Sequence, residues 1–488
     1  MTEVQERERK YALSPGVGAA ELAGALEGAG QLSTSCDAVL LAAYFDTRRM
    51  DLATAGITLR RRQGGADAGW HLKLPAGPDE RTEYWLPLGA GRDGRVPADL
   101  ADMLEARTGG RPLAPVAVVR TRRTALEVAA PGGRPLAEVA DDRVVAVRAR
   151  DQTALAWREI EVEARVADDD ALDDLGTRLE GVGGERAPYP SKLARVLGAP
   201  PCQGKEDLLA ARLAAQLAAL VWAEAGVRDG DPEGLHDLRV AIRRLRAFLR
   251  SFAGAFEQDG LGGLADQLAR AGRVLGTARD AEVLAARLEA ELGEVPTADV
   301  LGPVRAVLRS HAAREAAASA RTVRDLLDGP EYLALLEHLV AVVAAPPLGP
   351  GRRGRAYLRD RLDKERRRVG RRVQAVGRRT GAERDAALHA VRKAVKQARY
   401  AAETAETALG KEARRDVRRY LELQEILGEH HDAVVARAFL RAEGARAGVR
   451  PGENGFTFGL LCARQDARAA AADRRFHKRW QALQRRGR

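Results

Sequence analysis

Side chains of like charge recur at two-residue spacing in several short segments of the first 200 residues. Carboxylates recur in ERERK and EIEVE, and cations recur in TLRRR, HLKLP and VRTRR. Because residues i and i+2 of a β-strand point to the same face, each segment would present its charges together. Carboxylate oxygens are the preferred ligands of hard cations such as Mg²⁺ and Mn²⁺, and arginine and lysine bind phosphate oxygens. The two kinds of segment are therefore complementary halves of a site for a triphosphate and its metal ion.

The candidate residues follow from this spacing. The carboxylates are Glu6, Glu8, Glu159, Glu161 and Glu163, and the cations are Lys10, Arg60, Arg62, Lys73, Arg120 and Arg122. In several of these strands the opposite face is apolar, as where Trp70 and Leu72 alternate with the charged face of HLKLP. For any single strand, a sheet with its charged face in water explains the pattern. A closed barrel with a polar lumen would instead bring all the clusters into one space.

The predicted secondary structure changes from strands to helices near residue 200. Residues 1–200 contain short alternating segments punctuated by Gly, Pro and Asp, which predict strands with a few helical interruptions. Residues 198–207 have the composition of a linker, and the chain beyond them follows a 3.6-residue apolar period with almost no strand signal. We therefore predict two domains, 1–200 and 205–485.

The helical part repeats one motif of histidine and cations. LHDLRVAIRRLR and LHAVRKAVKQAR both place these residues at offsets 0, 3, 7 and 10, and the two sets are His236, Arg239, Arg243, Arg246 and His389, Arg392, Lys396, Arg399. A second pair of landmarks, Asp280 and Asp432, keeps nearly the same separation: 152 residues against 153 for the histidines. Two landmarks in register predict an internal duplication, with repeats at about 205–345 and 355–485.

The repeated cations form one stripe on a helix, about 15 Å long at roughly 1.5 Å per residue. The first stripe lacks acidic partners four residues on, so its repulsion is unrelieved and a bound polyanion would offset it. The net charge of the helical part also favours a polyanion. Residues 1–200 hold 27 Lys/Arg and 31 Asp/Glu, a balance of −4, and the other 288 residues hold 53 Lys/Arg and 38 Asp/Glu, a balance of +15. A solvated basic face explains one such helix equally well.

Composition narrows the partners and the compartment. Aromatic residues are only 4% of the chain, which disfavours nucleic acid beyond weak electrostatic binding, because single-stranded bases need aromatic platforms. Three scattered cysteines indicate a reducing compartment. The first ten residues are too charged for a signal peptide, and no apolar run approaches the ~20 residues of a membrane span. We expect a cytoplasmic protein with no membrane partner.

The first 200 residues resemble the CYTH, or triphosphate tunnel metalloenzyme, family. ERERK matches the family's E-x-E-x-K signature, and YFDT, TLRRR, HLKLP, RTEY, VRTRR, EVADD, EIEVE and SKLARVL follow in the family's order. The resemblance implies an eight-stranded antiparallel barrel whose tunnel holds a triphosphate. Members of the family hydrolyse inorganic triphosphate, thiamine triphosphate or RNA 5′-triphosphate ends, and a few make cyclic AMP. We favour inorganic triphosphate, which needs only cations and metal sites.

The resemblance also implies roles for individual residues. Glu6 and Glu8 with Glu161, Glu163 and Glu159 would bind Mg²⁺ or Mn²⁺, and Glu6, Glu8 and Lys10 would carry the catalytic signature. Phosphate oxygens would be bound by Lys10, Arg60, Arg62, Lys73, Arg120, Arg122 and Lys192. Arg81, Glu138 and Asp142 would lie in the lumen. The reaction would be in-line attack of water on a terminal phosphorus.

Residues 205–485 resemble the CHAD, or conserved histidine α-helical, family, on the two histidine–cation segments and on LGTARD and LGEHHD. The resemblance implies two pseudo-symmetric four-helix bundles beside a basic surface that binds inorganic polyphosphate. His236, Arg239, Arg243, Arg246, His389, Arg392, Lys396 and Arg399 would line that surface. The predicted fold class is thus α+β, a barrel followed by an all-α domain, and polyphosphate binding would associate the protein with polyphosphate granules.

Two alternatives remain open from the sequence. The barrel could be catalytically silent in a polyphosphate-binding or granule-targeting protein. The chain could also be an RNA 5′-triphosphatase or another nucleic-acid-binding protein.

Overall fold

The computed structural model describes the backbone of residues 1–485 except 15, 78, 92–94, 166–168, 201–206, 258–260, 350–353 and 450–452, and all described side chains except those of 277–283. The chain forms two compact units. The barrel unit comprises Met1–Lys205, Ala214–Ala241 and Asp328–Pro346, and the helical unit comprises Glu206–Leu213, Ile242–Leu327 and Pro347–Arg488. Two helical segments beyond residue 205 therefore belong to the same unit as the strands.

The predicted barrel is confirmed. Its strands are β1 (Thr2–Ala12), β2 (Gln31–Asp46), β3 (Thr58–Gln63), β4 (Gly69–Pro75), β5 (Glu80–Pro87), β6 (Ala114–Ala129), β7 (Pro135–Arg148) and β8 (Ala154–Ala164), with a short β9 (Glu185–Arg186) beside β1. The order β5-β4-β3-β2-β6-β7-β8-β1 closes through pairing of β1 with β5, and all pairs are antiparallel. Closure leaves none of these eight strands as an unpaired edge.

The barrel has its apolar face outside and its charged face inside. Ile160 and Val162 are buried on the outer face of β8, where they alternate with the inward Glu161. Short helices cover the outer face: α1 (Ala19–Glu27) and α4 (Asp169–Gly181) on one core, α2 (Asp51–Thr54) and α3 (Ala98–Thr108) on a second, and α5 (Lys192–Gly198) on a third. Burial of apolar side chains outside therefore leaves the charged residues of the same strands to line the lumen.

The rest of the described chain is helical. Its helices are α6 (Leu208–Asp229), α7 (Gly234–Phe252), α8 (Leu264–Gly293), α9 (Val304–Asp328), α10 (Pro330–Ala344), α11 (Arg355–Gln374), α12 (Gly381–Leu409), α13 (Lys411–Ala447) and α14 (Phe456–Arg485). In the helical unit, α11–α14 surround one core that includes Val369, Val391, Leu423 and Phe476. Helices α8 and α9 share a second core with α13 and α14.

One described helix, α6, is long and apolar enough by length and composition to cross a membrane, although half of its apolar window is buried in the structure. Arg212 and Glu224 interrupt the apolar residues of this helix. Glu224 is 0% exposed and lies 3.1 Å from Arg120 of β6, which is also 0% exposed. A buried ion pair of this kind belongs to a core helix.

Candidate active site

A cavity of about 440 Å³ lies within the barrel, and most of its carboxylates lie on other strands than Arg60, Arg62 and Lys73. We call the carboxylates of β1, β7 and β8 the acidic wall: Glu6, Glu8, Glu138, Glu161 and Glu163. We call the cations of β3 and β4 the basic wall: Arg60, Arg62 and Lys73. Strands β7, β8 and β1 are consecutive in the barrel, as are β3 and β4, so each wall is continuous. The cavity can hold a metal ion on one side and phosphate oxygens on the other.

Strand register concentrates the negative charge of the acidic wall. Glu8 of β1 is directly opposite Glu163 of β8, and Lys10 is directly opposite Glu161. Like charges in directly opposite positions destabilise a sheet unless a cation lies between them. The protein's own cations lie between these carboxylates. Lys10 bonds Glu161, and its Nζ lies 2.7 Å from Glu8 Oε2. Arg165 lies 2.8 Å from Glu163 and 3.2 Å from Glu138.

A second lysine neutralises the deepest carboxylates. Ser191 caps the N-terminus of α5 by accepting a hydrogen bond from Ala194 N, and this cap fixes the start of the helix at Lys192. The Nζ of Lys192 lies 2.7–2.8 Å from one oxygen each of Asp142, Glu159 and Glu161. Oxygens of these three carboxylates lie within 4.8 Å of one another and could hold a metal ion. The ammonium of Lys192 occupies that position here.

Burial disfavours the charged form of Lys192, but the three carboxylates outweigh it and hold the pKa of Lys192 well above its usual range. Burial likewise acts to raise the pKa of Glu8, but Lys10 overcomes it and lowers that pKa to about 2. The inner part of the acidic wall is therefore already compensated by the protein's own cations.

The outer part of the acidic wall has excess negative charge. Burial, with neighbouring Glu83, raises the pKa of Glu6 to about 7 against the opposing effect of Lys73. Burial also raises the pKa of Glu163 against the opposing charge of Arg165, and the charges of Glu6 and Glu138 add to the rise. Carboxylates that resist ionisation in this way are stabilised by an added cation. Their oxygen ligands and net charge fit a hard divalent ion.

The basic wall has excess positive charge. Among the described residues Arg60 forms no ion pair, and its Nη1 lies 3.5 Å from the hydroxyl of Tyr44. Arg62 pairs with Asp67, yet burial and the charges of Arg60 and Arg123 lower its pKa to about 9. An anion bound beside these two arginines would relieve the repulsion between them.

Lys73 joins the two walls. Its Nζ bonds Glu6 and lies 3.8 Å from Glu83 Oε1. Glu83 of β5 also lines the cavity and lies 2.6 Å from Nδ1 of His71. Sequence reasoning missed Glu83, although its spacing from Arg81 in RTEY places both on one face of β5.

Two predicted phosphate ligands lie outside the cavity. Arg120 is buried against Glu224, with its guanidinium 5.6 Å from the ring centre of Tyr332. Arg122 lies 2.7 Å from Asp37 and donates to the carbonyl oxygen of Asp328 at 3.0 Å. Their placement in the lumen was wrong because the lumen face of β6 is the other one.

Arg123 is the arginine of β6 that lines the cavity. It donates to Asp142 at 2.6 and 2.8 Å and also bonds Glu161. Its pKa is held well above the usual range because these carboxylates outweigh its burial. The adjacent arginines in VRTRR give no sign of which one points inward.

The remaining predicted lumen residues have specific partners. Arg81 lines the cavity and donates to the carbonyl oxygen of Pro190 at 3.0 Å. Glu138 lines it too and accepts a hydrogen bond from Ser35 at 3.0 Å. Glu159 is buried behind Lys192 and accepts a hydrogen bond from Trp157 Nε1 at 2.6 Å. It was expected among the metal ligands of the lumen, but it does not line this cavity.

In the helical unit, part of the predicted stripe of α7 meets the stripe of α12. Arg243 Nε donates to the hydroxyl of Tyr400 at 3.1 Å, and the guanidinium of Arg399 lies 4.7 Å from the ring centre of the same tyrosine. Burial, and then the charges of Arg392, Arg243 and Arg399, lower the pKa of Lys396 to about 7. Like charges held this close favour a bound anion.

The histidines of the stripes differ in their surroundings. Nδ1 of His389 lies 3.1 Å from Nδ1 of His431. Burial and neighbouring cations, beginning with His431, lower the pKa of His389 to about 4, so it is neutral at neutral pH. His236 is exposed and belongs, with Arg239, to the segment of α7 in the barrel unit. Arg246 of α7 belongs to the helical unit, and the side chain of Asp280 lies outside the described residues.

Comparison with known proteins finds one family in each part of the chain. Residues 4–196 match the CYTH domain family, and residues 211–441 match the CHAD domain family. The chain is 36% identical over 444 residues to the uncharacterized protein MT2285 of Mycobacterium tuberculosis, a match that covers 86% of this chain and 85% of that protein.

Two solved structures show more limited likeness. PptA from Streptomyces chartreusis is 24% identical with a TM-score of 0.48, and covers 56% of this chain and 98% of its own. The CHAD domain of the plant Ricinus communis is 27% identical with a TM-score of 0.45, and covers 56% of this chain and 91% of its own. Both TM-scores lie below 0.5, and neither likeness bears on function.

Proposed function

The chain belongs to the family of proteins in which a CYTH domain is followed by a CHAD domain, and we propose that its barrel hydrolyses inorganic triphosphate with Mg²⁺ or Mn²⁺. The observation that carries the proposal is the opposition of an acidic wall and a basic wall across one cavity. Each wall has excess charge of its own sign, and a triphosphate with its divalent ion supplies both missing charges.

In this proposal the basic wall binds the substrate. Arg60 and Arg62 bind phosphate oxygens, and Lys73 holds a further oxygen where the walls meet. A divalent ion held by Glu6, Glu8, Glu161 and Glu163 would neutralise negative charge on the phosphate oxygens. Water oriented by a carboxylate of the acidic wall attacks the terminal phosphorus. The bond from that phosphorus to the bridging oxygen breaks, and orthophosphate and pyrophosphate are released.

The lining of the cavity supports an inorganic substrate over an organic one. Of the aromatic residues of the barrel, Tyr44 lines the cavity, and its hydroxyl faces Arg60. Trp70 is 0% exposed in the outer core, and Trp85 donates to the carbonyl oxygen of Asp67. A base or a thiazole ring would lack a stacking platform within this lining.

Phosphate release tests the proposal. The protein is incubated with inorganic triphosphate, ATP and thiamine triphosphate in the presence of Mg²⁺ or Mn²⁺, and initial rates are compared. We expect inorganic triphosphate to be the best substrate and Glu6→Gln to abolish the reaction. Glu3→Gln is the matched control, because Glu3 lies on the other face of the same strand and is exposed. No release from any substrate by folded protein would contradict the proposal and leave a non-catalytic polyphosphate-binding protein.

We propose that the helical unit binds inorganic polyphosphate through the cations of α7 and α12. The support is the crowding of Arg243, Arg392 and Lys396, which lowers the pKa of the lysine. Binding would place the protein in the cytoplasm at polyphosphate granules, which a fluorescent fusion would show.

Salt-dependent binding tests the second proposal. Replacing Arg243, Arg392 and Lys396 with alanine should weaken polyphosphate binding and reduce the slope of log affinity against log salt by about three, one for each lost contact. Replacing Arg367, Arg371 and Arg372 is the control, since these exposed arginines of α11 carry the same charge. Equal losses in both triple variants would reduce the stripe to a general basic surface.

A further inference from the structure

The turn between β3 and β4 holds an acidic residue, Asp67, at one end of the cavity. Gly64 and Gly65 have φ angles of +78° and +76°, a conformation that other residues rarely adopt. A Cβ atom on Gly64 would lie 2.1 Å from the carbonyl oxygen of Val39. The turn therefore requires glycine and follows one narrow path, which places Asp67 beside the lumen.

Hydrogen bonds fix Asp67 further. Its carbonyl oxygen accepts a hydrogen bond from Trp85 Nε1 at 3.2 Å and lies 2.9 Å from His71 Nε2. Its carboxylate contacts the guanidinium of Arg62. The Asp67 side chain is 57% exposed and that of Arg62 only 7%, so the carboxylate covers the arginine from the solvent side.

A second, smaller cavity adjoins the main one at the end away from Asp67. Asp67 precedes β4 and Asp79 follows it, so the two residues lie at opposite ends of that strand. A smaller cavity of about 70 Å³ at the Asp79 end shares Glu8, Lys10 and Arg81 with the main one. That space is little more than the volume of two water molecules. The extra phosphates of a longer chain would therefore extend past Asp67.

We propose that Asp67 is a specificity-determining residue that closes the Arg62 end of the cavity to phosphate chains longer than triphosphate. This inference rests on the proposed triphosphatase activity. A triphosphate is held by the two walls without passing the carboxylate, whereas the additional phosphate of a tetraphosphate meets a fixed negative charge. Repulsion of an unwanted ligand is a common means of selectivity. The same carboxylate also withholds Arg62 from that additional phosphate.

The test compares inorganic tetraphosphate with inorganic triphosphate. The ratio of kcat/KM for the two substrates is measured from initial loss of substrate by ion chromatography, in the full-length protein and in Asp67→Asn and Asp67→Glu. In Asp67→Asn we expect the ratio to shift about tenfold toward tetraphosphate, the effect of one like charge about 6 Å away at partial exposure. Asp67→Glu, which keeps the charge, should retain the original ratio. Asp99→Asn, exposed on α3 away from the cavity lining, is the control.

The outcomes separate the two proposals. An unchanged ratio in Asp67→Asn, or an equal gain for both substrates, would overturn the role of Asp67 while the triphosphatase activity stands. A shifted ratio in Asp67→Glu equal to that in Asp67→Asn would overturn it too, because charge would then not be the cause. If the unaltered protein hydrolysed neither triphosphate nor tetraphosphate, the proposed function itself would be wrong. Thermal unfolding of each variant shows that the ratios are measured on folded protein.

Discussion

Replacing Arg120 with alanine should unfold the barrel unit more readily and leave its triphosphate site intact. Arg120 and Glu224 are both 0% exposed, and their side chains lie 3.1 Å apart. Removing one partner of a buried pair leaves an uncompensated charge, which costs about 3–5 kcal/mol. Arg228 also lies 3.0 Å from the same glutamate oxygen and would remain. We therefore expect a loss of about 3 kcal/mol, at the lower end of that range.

The matched control is Arg143→Ala. Arg143 of β7 also pairs with a helical residue of the same unit, Glu337, at 2.6 Å, but its side chain is 52% exposed. An exposed pair contributes less than about 1 kcal/mol. Comparison of the two variants therefore isolates the effect of burial from the loss of an arginine on the outer face of the barrel.

Thermal unfolding followed by tryptophan fluorescence measures the difference, since four of the five tryptophans lie in the barrel unit. For a unit of this size a loss of 3 kcal/mol lowers Tm by roughly 6–12 °C. Triphosphate affinity is then measured by calorimetry well below the transition. A variant of Arg120 with an unchanged Tm and a lost affinity would refute the assignment of this residue to the outer core.

Three further predictions concern the two binding surfaces. Arg60→Ala should raise the KM for triphosphate at least tenfold, because it removes a charged hydrogen bond worth about 1.5–3 kcal/mol. Arg61→Ala, on the outer face of the same strand, should leave the KM unchanged. Equal effects of the two variants in steady-state kinetics would contradict the basic wall. Glu163→Gln should weaken Mn²⁺ binding measured by electron paramagnetic resonance, and unaltered binding would remove this residue from the metal site. Polyphosphate affinity should fall about threefold to tenfold from pH 6 to 8, because Lys396, with a pKa of about 7, loses its proton over that range. Lys396→Met should abolish this dependence and the exposed Lys393→Met should not; a dependence that survives in Lys396→Met would assign it to another group.

The sequence predicted the walls where one face of a strand is apolar and the other is charged. In β8, Ile160 and Val162 could only face a core, so the intervening Glu161 had to face the lumen. The same argument held for β4, where Trp70 and Leu72 lie outside and Lys73 inside. Alternation is a reliable guide when one face is clearly apolar.

Strand β6 lacks this contrast. It has arginines on both faces, and the outer ones pair with residues more than 80 positions away in the chain, Glu224 for Arg120 and Asp37 for Arg122. Such a partner can be identified only after the chain has folded.

The roles of Lys192 and Asp67 could not be predicted from the sequence. Lys192 was expected to bind phosphate, and the structure places it among three carboxylates, because the cap at Ser191 directs α5 toward the acidic side of the lumen. Asp67 lies in a turn whose residue spacing carries no periodic signal. Its contact with Arg62 follows from the path of two glycines with positive φ.

The most direct test of the two-walled site is a crystal of the protein with Mn²⁺ and triphosphate, examined by anomalous diffraction. We predict a Mn²⁺ peak at the acidic wall beside Glu6 and Glu163, and phosphate density at Arg60 of the basic wall. A Mn²⁺ peak among Asp142 and Glu159 with Lys192 displaced, or triphosphate bound outside the barrel, would contradict the account.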